Sequence, residues 1–516
     1  MTSSIQPPHA TGAFALWGPL RAASQPWLWA GLIGLALITQ MTLIWTHIPW
    51  ADELQATALA RESHSISDWY WNFRYEGHPP LWHLLLKLPL AFTDDPTALK
   101  IVQSVVVLCT AALLHLRAPF TPGVKVLLSL NYFLLFEYGV IARGYSLTVL
   151  FFFGAIAFRQ RPLAWLFIAL LPQGGLQSMM LAGICGLIVL REQGWRWGGV
   201  LLACCGGVVA LVWMWPAADA EPFGTQGLSA PLLARLLWAA YMNGSTFLPV
   251  DFNLDLTGWE LLRMEKVLVA TGIIGPILTI YCLSRKSHFL AWMLAGFTGA
   301  NLILTTNIYI LTGRHLGLWV VLMIGFLWVM QKPKEPLARI AQAWMVMLAL
   351  GGAGAAIRQA ITPFSPGPQV VSALREVGGA TPLIIPVPIV IGAEIHGLLR
   401  IPTYDMAGGC MQSFIRWRRP IFMGPSWIAL DPDRRKVDLI GSGLDELKGV
   451  AARAGGQALL IFDDADLVEL ISERKDPALT LLREIKAGES DRLYRALYRL
   501  DVPPDPNPAP IPPCTN

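Results

Sequence analysis

The chain has 516 residues, of which 54% are hydrophobic and only 14% charged, and it carries 21 tryptophans. Average soluble domains hold about 25% charged residues, so this composition excludes an ordinary water-soluble globule and fits a polytopic membrane protein. A formal charge of +4, dispersed along the chain, gives no reason to expect nucleic acid as a partner.

The N-terminus up to Trp27 lacks a short apolar core followed by a small-residue cleavage site. The first apolar run, Trp27 to Ile48, is therefore expected to remain as an anchor. Further runs that approach the roughly 20 residues needed to cross a bilayer lie at 97–116, 124–141, 145–158, 162–172, 174–190, 197–215, 264–283, 289–311, 315–331 and 340–357. With the first, these predict about eleven spans, although 162–190 also reads as one helix broken around Pro172, Gly174 and Gly175.

Between the first and second runs lies an outer loop, 49–96, rich in acids and aromatics. It opens with Asp52 and Glu53 directly after an apolar helix, and continues to Glu76-Gly77-His78-Pro79-Pro80. Charge beside hydrocarbon must be paired, hydrated or used, which makes this loop the candidate active site. The apolar piece that follows, His78 to Phe92, is interrupted by Lys87 and Pro89 and is too short to span. We expect a juxtamembrane or re-entrant helix with both ends on one side.

The positive-inside rule tests that expectation. If the piece does not cross, the inner loops hold Arg117, Lys125, Arg159, Arg161, Arg191, Arg196, Arg285, Lys286, Lys332, Lys334 and Arg339 against Glu192 and Glu335. If it crosses, the bias reverses. The non-crossing arrangement puts the 49–96 loop, the turn from Glu137 to Tyr145, the 216–262 loop and the Thr312-Gly313-Arg314-His315 turn on the outer face together.

Residues 1–357 thus read as a transmembrane domain, 358–500 as an extracytoplasmic α/β domain, and 501–516 as a Pro-rich tail. In the second domain, Pro382–Val390 and Ala458–Phe462 have strand character, and the charged stretch Ala478–Ala487 reads as helical. Five cysteines (Cys109, Cys185, Cys204, Cys205, Cys282) lie in apolar runs as small hydrophobes, while Cys410 and Cys514 can pair if their region is exported.

Among candidate residues, Asp52 and Glu53 are adjacent, so on a helix they point about 100° apart. One can act as a base while the other orients a substrate or binds a cation; the pair also fits a helix N-terminus where acids favour the dipole. Glu76 and His78 sit at a rigid entry that two prolines fix and Gly77 turns. His83 and Lys87 are expected on the interfacial face, with Lys87 snorkelling. Arg143 and Arg314 can bind a lipid phosphate through bidentate hydrogen bonds, or pair with Glu137 and anchor at the interface. The clusters Asp251–Asp255 and Phe462–Asp466 are read as structural, and Trp45, Trp50, Trp69, Trp71 and Trp82 as an interfacial belt.

An Asp-Glu pair after the first helix, Glu-Gly-His-Pro-Pro-Leu closing the first outer loop, Ala-Arg-Gly-Tyr in the next turn and a late Arg-His together resemble a known family. They are similar to integral membrane glycosyltransferases of the GT-C fold that use polyprenyl-phosphate donors, of the dolichyl-phosphate-mannose protein mannosyltransferase-like and aminoarabinose transferase-like kinds. The motifs cover residues 27–160 well and 300–331 loosely. The resemblance implies an α-helical polytopic GT-C membrane protein with a C-terminal α/β soluble domain, transferring a sugar with inversion from a polyprenyl-phosphate-sugar donor to a glycan, lipid or protein acceptor. It implies Asp52 and Glu53 as catalytic, and Glu76, His78, Arg143, Tyr145, Arg314 and His315 as substrate-binding. Arg-His-Leu-Gly stands where many relatives have Arg-Tyr and proline. Two carboxylates and a histidine could hold a divalent cation or work without one. The expected location is a bacterial inner membrane with a periplasmic active site. The rivals are a lipid-linked substrate transporter or flippase and an inactive relative.

Overall fold

The computed structural model describes residues 26–249 apart from 219 and 221–229, 264–377 apart from 310 and 334, 383–417 apart from 407, 436–486 apart from 464, and 494–514. The Asp251–Asp255 cluster and residues 219, 221–229 and 250–262 of the 216–262 loop lie outside the described residues, as do Asp464 and the side chain of Asp466; the described part of that loop includes a helix, Leu232–Phe247.

The first half is helical. α1 (Pro26–Thr46) leads into α2 (Ala51–Glu62), α3 (Ile66–Phe73), α4 (Leu81–Leu90) and α5 (Asp95–Arg117). α6 (Pro122–Ser129) is followed by a π-helical turn, Phe133–Glu137, then α7 (Tyr145–Ala157) and α8 (Leu163–Leu170). A 3-10 turn, Leu171–Gly174, joins α8 to α9 (Leu176–Gln193), and α10 (Trp197–Met214), α11 (Leu232–Phe247), α12 (Met264–Ser284) and α13 (His288–Asn307) follow. A single turn, α14 (Gly313–Leu316), runs into α15 (Leu318–Met330), and α16 (Arg339–Ile361) closes this half.

Seven of the described helical segments are long and apolar enough to cross a membrane: Pro26–Thr46, Asp95–Arg117, Trp197–Met214, Lys266–Ser284, His288–Asn307, Gly313–Met330 and Arg339–Ile361. Leu, Ile, Val and Trp side chains stay outward-facing on several of them, as on α10, where Leu201, Val208 and Trp215 just beyond it are exposed. Outward apolar stripes of this kind suit lipid rather than water. The stretches 124–141 and 145–158 form shorter helices, and 162–190 is broken at the Leu171–Gly174 turn.

The remainder is an α/β unit. α17 (Gly367–Glu376) precedes β1 (Leu383–Val387), α18 (Ile391–Leu398), β2 (Thr403–Asp405) and β3 (Cys410–Gln412). Then come α19 (Lys436–Arg453), β4 (Gln457–Phe462), α20 (Ala465–Glu473), β5 (Leu479–Lys486) and β6 (Tyr494–Asp501). The main sheet has the order β1-β4-β6-β5, with β1 parallel to β4 and the other pairs antiparallel. Alternate side chains go to opposite faces: Leu383, Ile385 and Val387 pack with Leu447 and Val450 of α19, whereas Ile384 packs with Val370 of α17 and Ile395 of α18. Both faces are covered, which is why β1 and β4 read as unbroken apolar runs.

One expectation changes here. Residues 479–486, read as helical, form β5; a register shift between Leu481 and Arg483 breaks the alternation that marks a strand. The Pro-rich tail is held to the domain, since Cys410 and Cys514 are joined and Met411 exchanges backbone hydrogen bonds with the tail at Pro512 and Cys514.

Candidate active site

α2 carries the centre of the site. Nine of its twelve residues are buried, and Asp52 and Glu53 occupy its first turn, where the helix dipole favours acids. The two carboxylates part company, as their 100° separation requires. Asp52 faces the cleft, with its side chain 25% exposed. Glu53 turns inward and is fully buried.

Two arginines from distant parts of the chain meet on one oxygen of Asp52. Arg143 Nη1 donates to Asp52 Oδ2, and Arg314 Nη1 donates to the same atom at 2.7 Å. The Arg314 guanidinium lies over the Trp50 ring at 5.0 Å, and that of Arg143 lies 6.0 Å from the Tyr145 ring. Burial works to raise the Asp52 pKa, but the adjacent charges of Arg143 and Arg314 outweigh it and hold the carboxyl below its ordinary value.

The arginines are held from behind by buried polar groups. Glu53 Oε1 accepts from the Ala142 backbone N–H at 2.6 Å, one residue before Arg143, while Glu53 Oε2 accepts from His47 Nε2 at 2.8 Å and from the Trp50 N–H at 3.2 Å. Gln103 of α5 donates to the carbonyls of Tyr138 and Gly139, both at 2.9 Å, and Gln40 of α1 donates to Leu134 and Leu135 at 2.8 and 3.2 Å. Tyr138 then donates its hydroxyl to the Arg314 carbonyl at 2.6 Å. One frame therefore fixes both arginine-bearing turns. Glu53 belongs to that frame and not to the cleft, so the structure assigns it a holding role where the sequence placed it beside Asp52 in the chemistry.

The opposite wall comes from the start of α4. Gly77 has φ of +70°, a left-handed conformation that glycine adopts without strain, and it reverses the chain between Glu76 and His78. Glu76 Oε1 lies 3.8 Å from His78 Nδ1 and 3.9 Å from His83 Nε2. Burial pushes the Glu76 carboxyl up to about 7 against the opposing charge of Arg143. Burial, with Arg143, brings the His78 imidazole down to about 4. Together Asp52, Glu76, His78, Trp82, His83 and Arg143 line a narrow cleft with room for about one water-sized group.

Of the residues singled out in the sequence, Asp52, Glu76, His78, Arg143 and Arg314 are brought together. Tyr145 is buried beside them, with its ring 6.1 Å from that of His78. His315 is turned elsewhere: Nδ1 accepts from the Thr312 N–H at 3.1 Å and Nε2 faces the Tyr309 hydroxyl at 3.2 Å, so it caps its own turn. His83 is 2% exposed, not interfacial. Lys87 does not snorkel; it donates to the carbonyls of Ala60 and Ser63 at the end of α2, where a cation is favourable. Trp69 and Trp82 are core residues, whereas Trp45 and Trp71 keep exposed faces. Sequence reasoning missed Gln40 and Gln103, although a lone amide within an apolar helix is a signal in itself.

For a metal, the set of three potential ligand atoms within 4.8 Å of one another among the described residues is Asp405, Cys410 and Cys514. Its two sulfurs are bonded to each other. Compared with family models, curated proteins and solved structures, the chain finds no match.

Proposed function

We propose that this chain is an integral membrane glycosyltransferase of GT-C type, which transfers a sugar from a polyprenyl-phosphate donor to an acceptor hydroxyl with inversion. The observation that carries this reading is the sharing of Asp52 Oδ2 by Arg143 and Arg314. Two guanidiniums converging on one carboxylate form a site for a phosphate as well, one whose charge grows as it leaves. A donor phosphate that takes both arginines frees Asp52, whose pKa then rises toward its ordinary range.

Asp52 then accepts the proton of the acceptor hydroxyl as its oxygen forms a bond to the anomeric carbon. The bond from that carbon to the phosphate oxygen breaks, its electron pair leaves with the phosphate, and the arginines balance the growing charge. The acceptor is a glycan, lipid or protein hydroxyl. A resident divalent cation is not required by these steps, and Asp52, Glu76, His78 and His83 are the groups that would hold one.

The proposed topology has about eleven passes, α4 on the outer surface, and the site facing the periplasm of a bacterial inner membrane. The joined Cys410 and Cys514 support an oxidising side for the C-terminal domain. The test uses full-length protein in membranes. Asp52→Asn is expected to abolish sugar transfer while binding farnesyl phosphate about tenfold more tightly, since its arginines are released. Retained transfer would sink the assignment of the base, and movement of lipid across vesicles without head-group change would favour a transporter instead.

A further inference from the structure

The cleft beneath Asp52 ends in polar atoms that lack a hydrogen-bond partner among the described residues, with the polar side chain of Gln55 close to the Glu76 carboxyl. Glu76 Oε2, both ring nitrogens of His83 and the indole nitrogen of Trp82 are closed off from solvent and lack hydrogen-bond partners. Their side chains are deeply buried: Glu76 is 7% exposed, and His83 and Trp82 are 2% and 3% exposed as residues. All three line the cleft that also contains Asp52 and Arg143. Buried polar groups are ordinarily paired, and several unpaired ones gathered at one cleft mark a place that a ligand group completes.

The chemistry of the set selects that group. Trp82 Nε1 only donates; a neutral imidazole presents one donor and one acceptor; a carboxyl accepts when ionised and donates when protonated. A hydroxyl, which donates and accepts at once, satisfies such a mixture. An ammonium cannot accept from the indole, and a phosphate dianion cannot donate to the acceptor nitrogen of the imidazole. The floor has room for one group of about water size, while the arginine that suits a phosphate stands at the Asp52 side.

We propose that Glu76, Trp82 and His83 form a recognition site for one hydroxyl of the transferred sugar, and so set which sugar the protein accepts. This rests on the reading of the site as one for a lipid-phosphate sugar. The ring then occupies the mouth of the cleft between His78 and Arg143, with its anomeric carbon toward Asp52.

The experiment measures binding by full-length protein in nanodiscs. The probes are farnesyl phosphate and farnesyl phosphates bearing glucose, galactose, mannose or arabinose, each also in singly deoxygenated forms. A site built around a substrate hydroxyl rejects analogues lacking it by up to about 10⁴-fold. We expect deoxygenation at one ring position to weaken binding by at least roughly 30-fold, within that range. In Glu76→Gln and His83→Phe that difference, read against each variant's own affinity for the fully hydroxylated probe, should shrink several-fold, with cooperative unfolding followed by tryptophan fluorescence as the control for folding.

Equal binding of all deoxygenated forms to the wild type overturns the proposal, as does a positional preference that survives both substitutions. A stoichiometric divalent ion lost in both variants also overturns it, because the orphaned atoms would then be ligands. Failure of the underlying reading looks different. In that case farnesyl phosphate itself does not bind, or binds no worse in Arg143→Gln and Arg314→Gln.

Discussion

Replacing Glu53 by leucine tests the frame behind the arginines. The side chain is fully buried and accepts from three donors: the Ala142 N–H, the Trp50 N–H and His47 Nε2. A buried donor left without its acceptor costs about 1–3 kcal/mol. Three such losses are not additive within one network, so about 3 kcal/mol is the expected destabilisation at the low end of that range. Glu53→Gln keeps a carbonyl oxygen for Ala142 and should lose about half as much. Unfolding in detergent, followed by tryptophan fluorescence, reads the stability. Farnesyl phosphate affinity reads the placement of Arg143: a misplaced charge-assisted bond of about 1.5–3 kcal/mol corresponds to a tenfold to hundredfold loss. A leucine variant as stable as wild type, with unchanged affinity, refutes the argument that Glu53 positions the Arg143 turn.

Three further outcomes are expected. Glu76, raised from 4.5 to about 7, holds a proton in the folded state that the unfolded chain has released, so its contribution to stability falls as pH rises through 4.5–7. His78, lowered from 6.5 to about 4, stays neutral when folded, so its contribution rises with pH between 4 and 6.5. The two oppose each other, and Glu76→Gln should therefore steepen the rise of melting temperature with pH over 4.5–6.5; an unchanged profile counts against the burial of Glu76. Arg314→Gln should weaken farnesyl phosphate binding by about tenfold or more, and unaltered affinity removes it from the phosphate site. Cys514→Ser opens a link spanning 104 residues, which chain entropy values at on the order of 5 kcal/mol. Faster amide exchange in residues 505–514 is the readout, and exchange equal to wild type would show that backbone pairing alone secures the tail.

The parts of the site that were legible in the sequence are the ones whose chemistry is local and conspicuous. Asp52 at the mouth of an apolar helix, Arg143 and Arg314 in polar turns between apolar runs, and Glu76–Pro80 as a rigid entry all stand out against hydrocarbon. The division of labour between Asp52 and Glu53 follows from helical geometry, but which one faces inward depends on what packs against α2. That partner, the turn around Ala142, lies 89 residues away in sequence. His83 escaped for the same reason: its burial depends on Phe73 and Trp82, with the Phe73 ring at 4.6 Å, and not on the amphipathy of its own short helix. For β5 the fault was local, since the bulge between Leu481 and Arg483 brings charges into positions that mimic a helical face.

The abrupt change of composition near residue 358 suggests two independent parts, yet the second is built against α2 of the first, the helix that carries Asp52. α2 is only twelve residues long, and a helix of that length is marginal by itself in water; with Asp52, Glu53, Arg61 and Glu62 it is equally unsuited to lipid. The α/β unit supplies what it lacks. Gln55, one turn after Asp52, donates to the Ile415 carbonyl and accepts from the Ile415 N–H, both at 2.8 Å. Gly397 of α18 lies so close to Leu54 that an added Cβ would approach it to 2.6 Å. Arg61 reaches Asp95 and the His396 carbonyl, and Arg400 returns to Asp95 at 2.9 Å. A helix held by the transmembrane bundle on one side and by this unit on the other has little freedom to rotate, and rotation is what would exchange the positions of Asp52 and Glu53. The C-terminal region therefore contributes to the candidate chemistry through the orientation of α2; among the described residues it places no side chain against Asp52 itself.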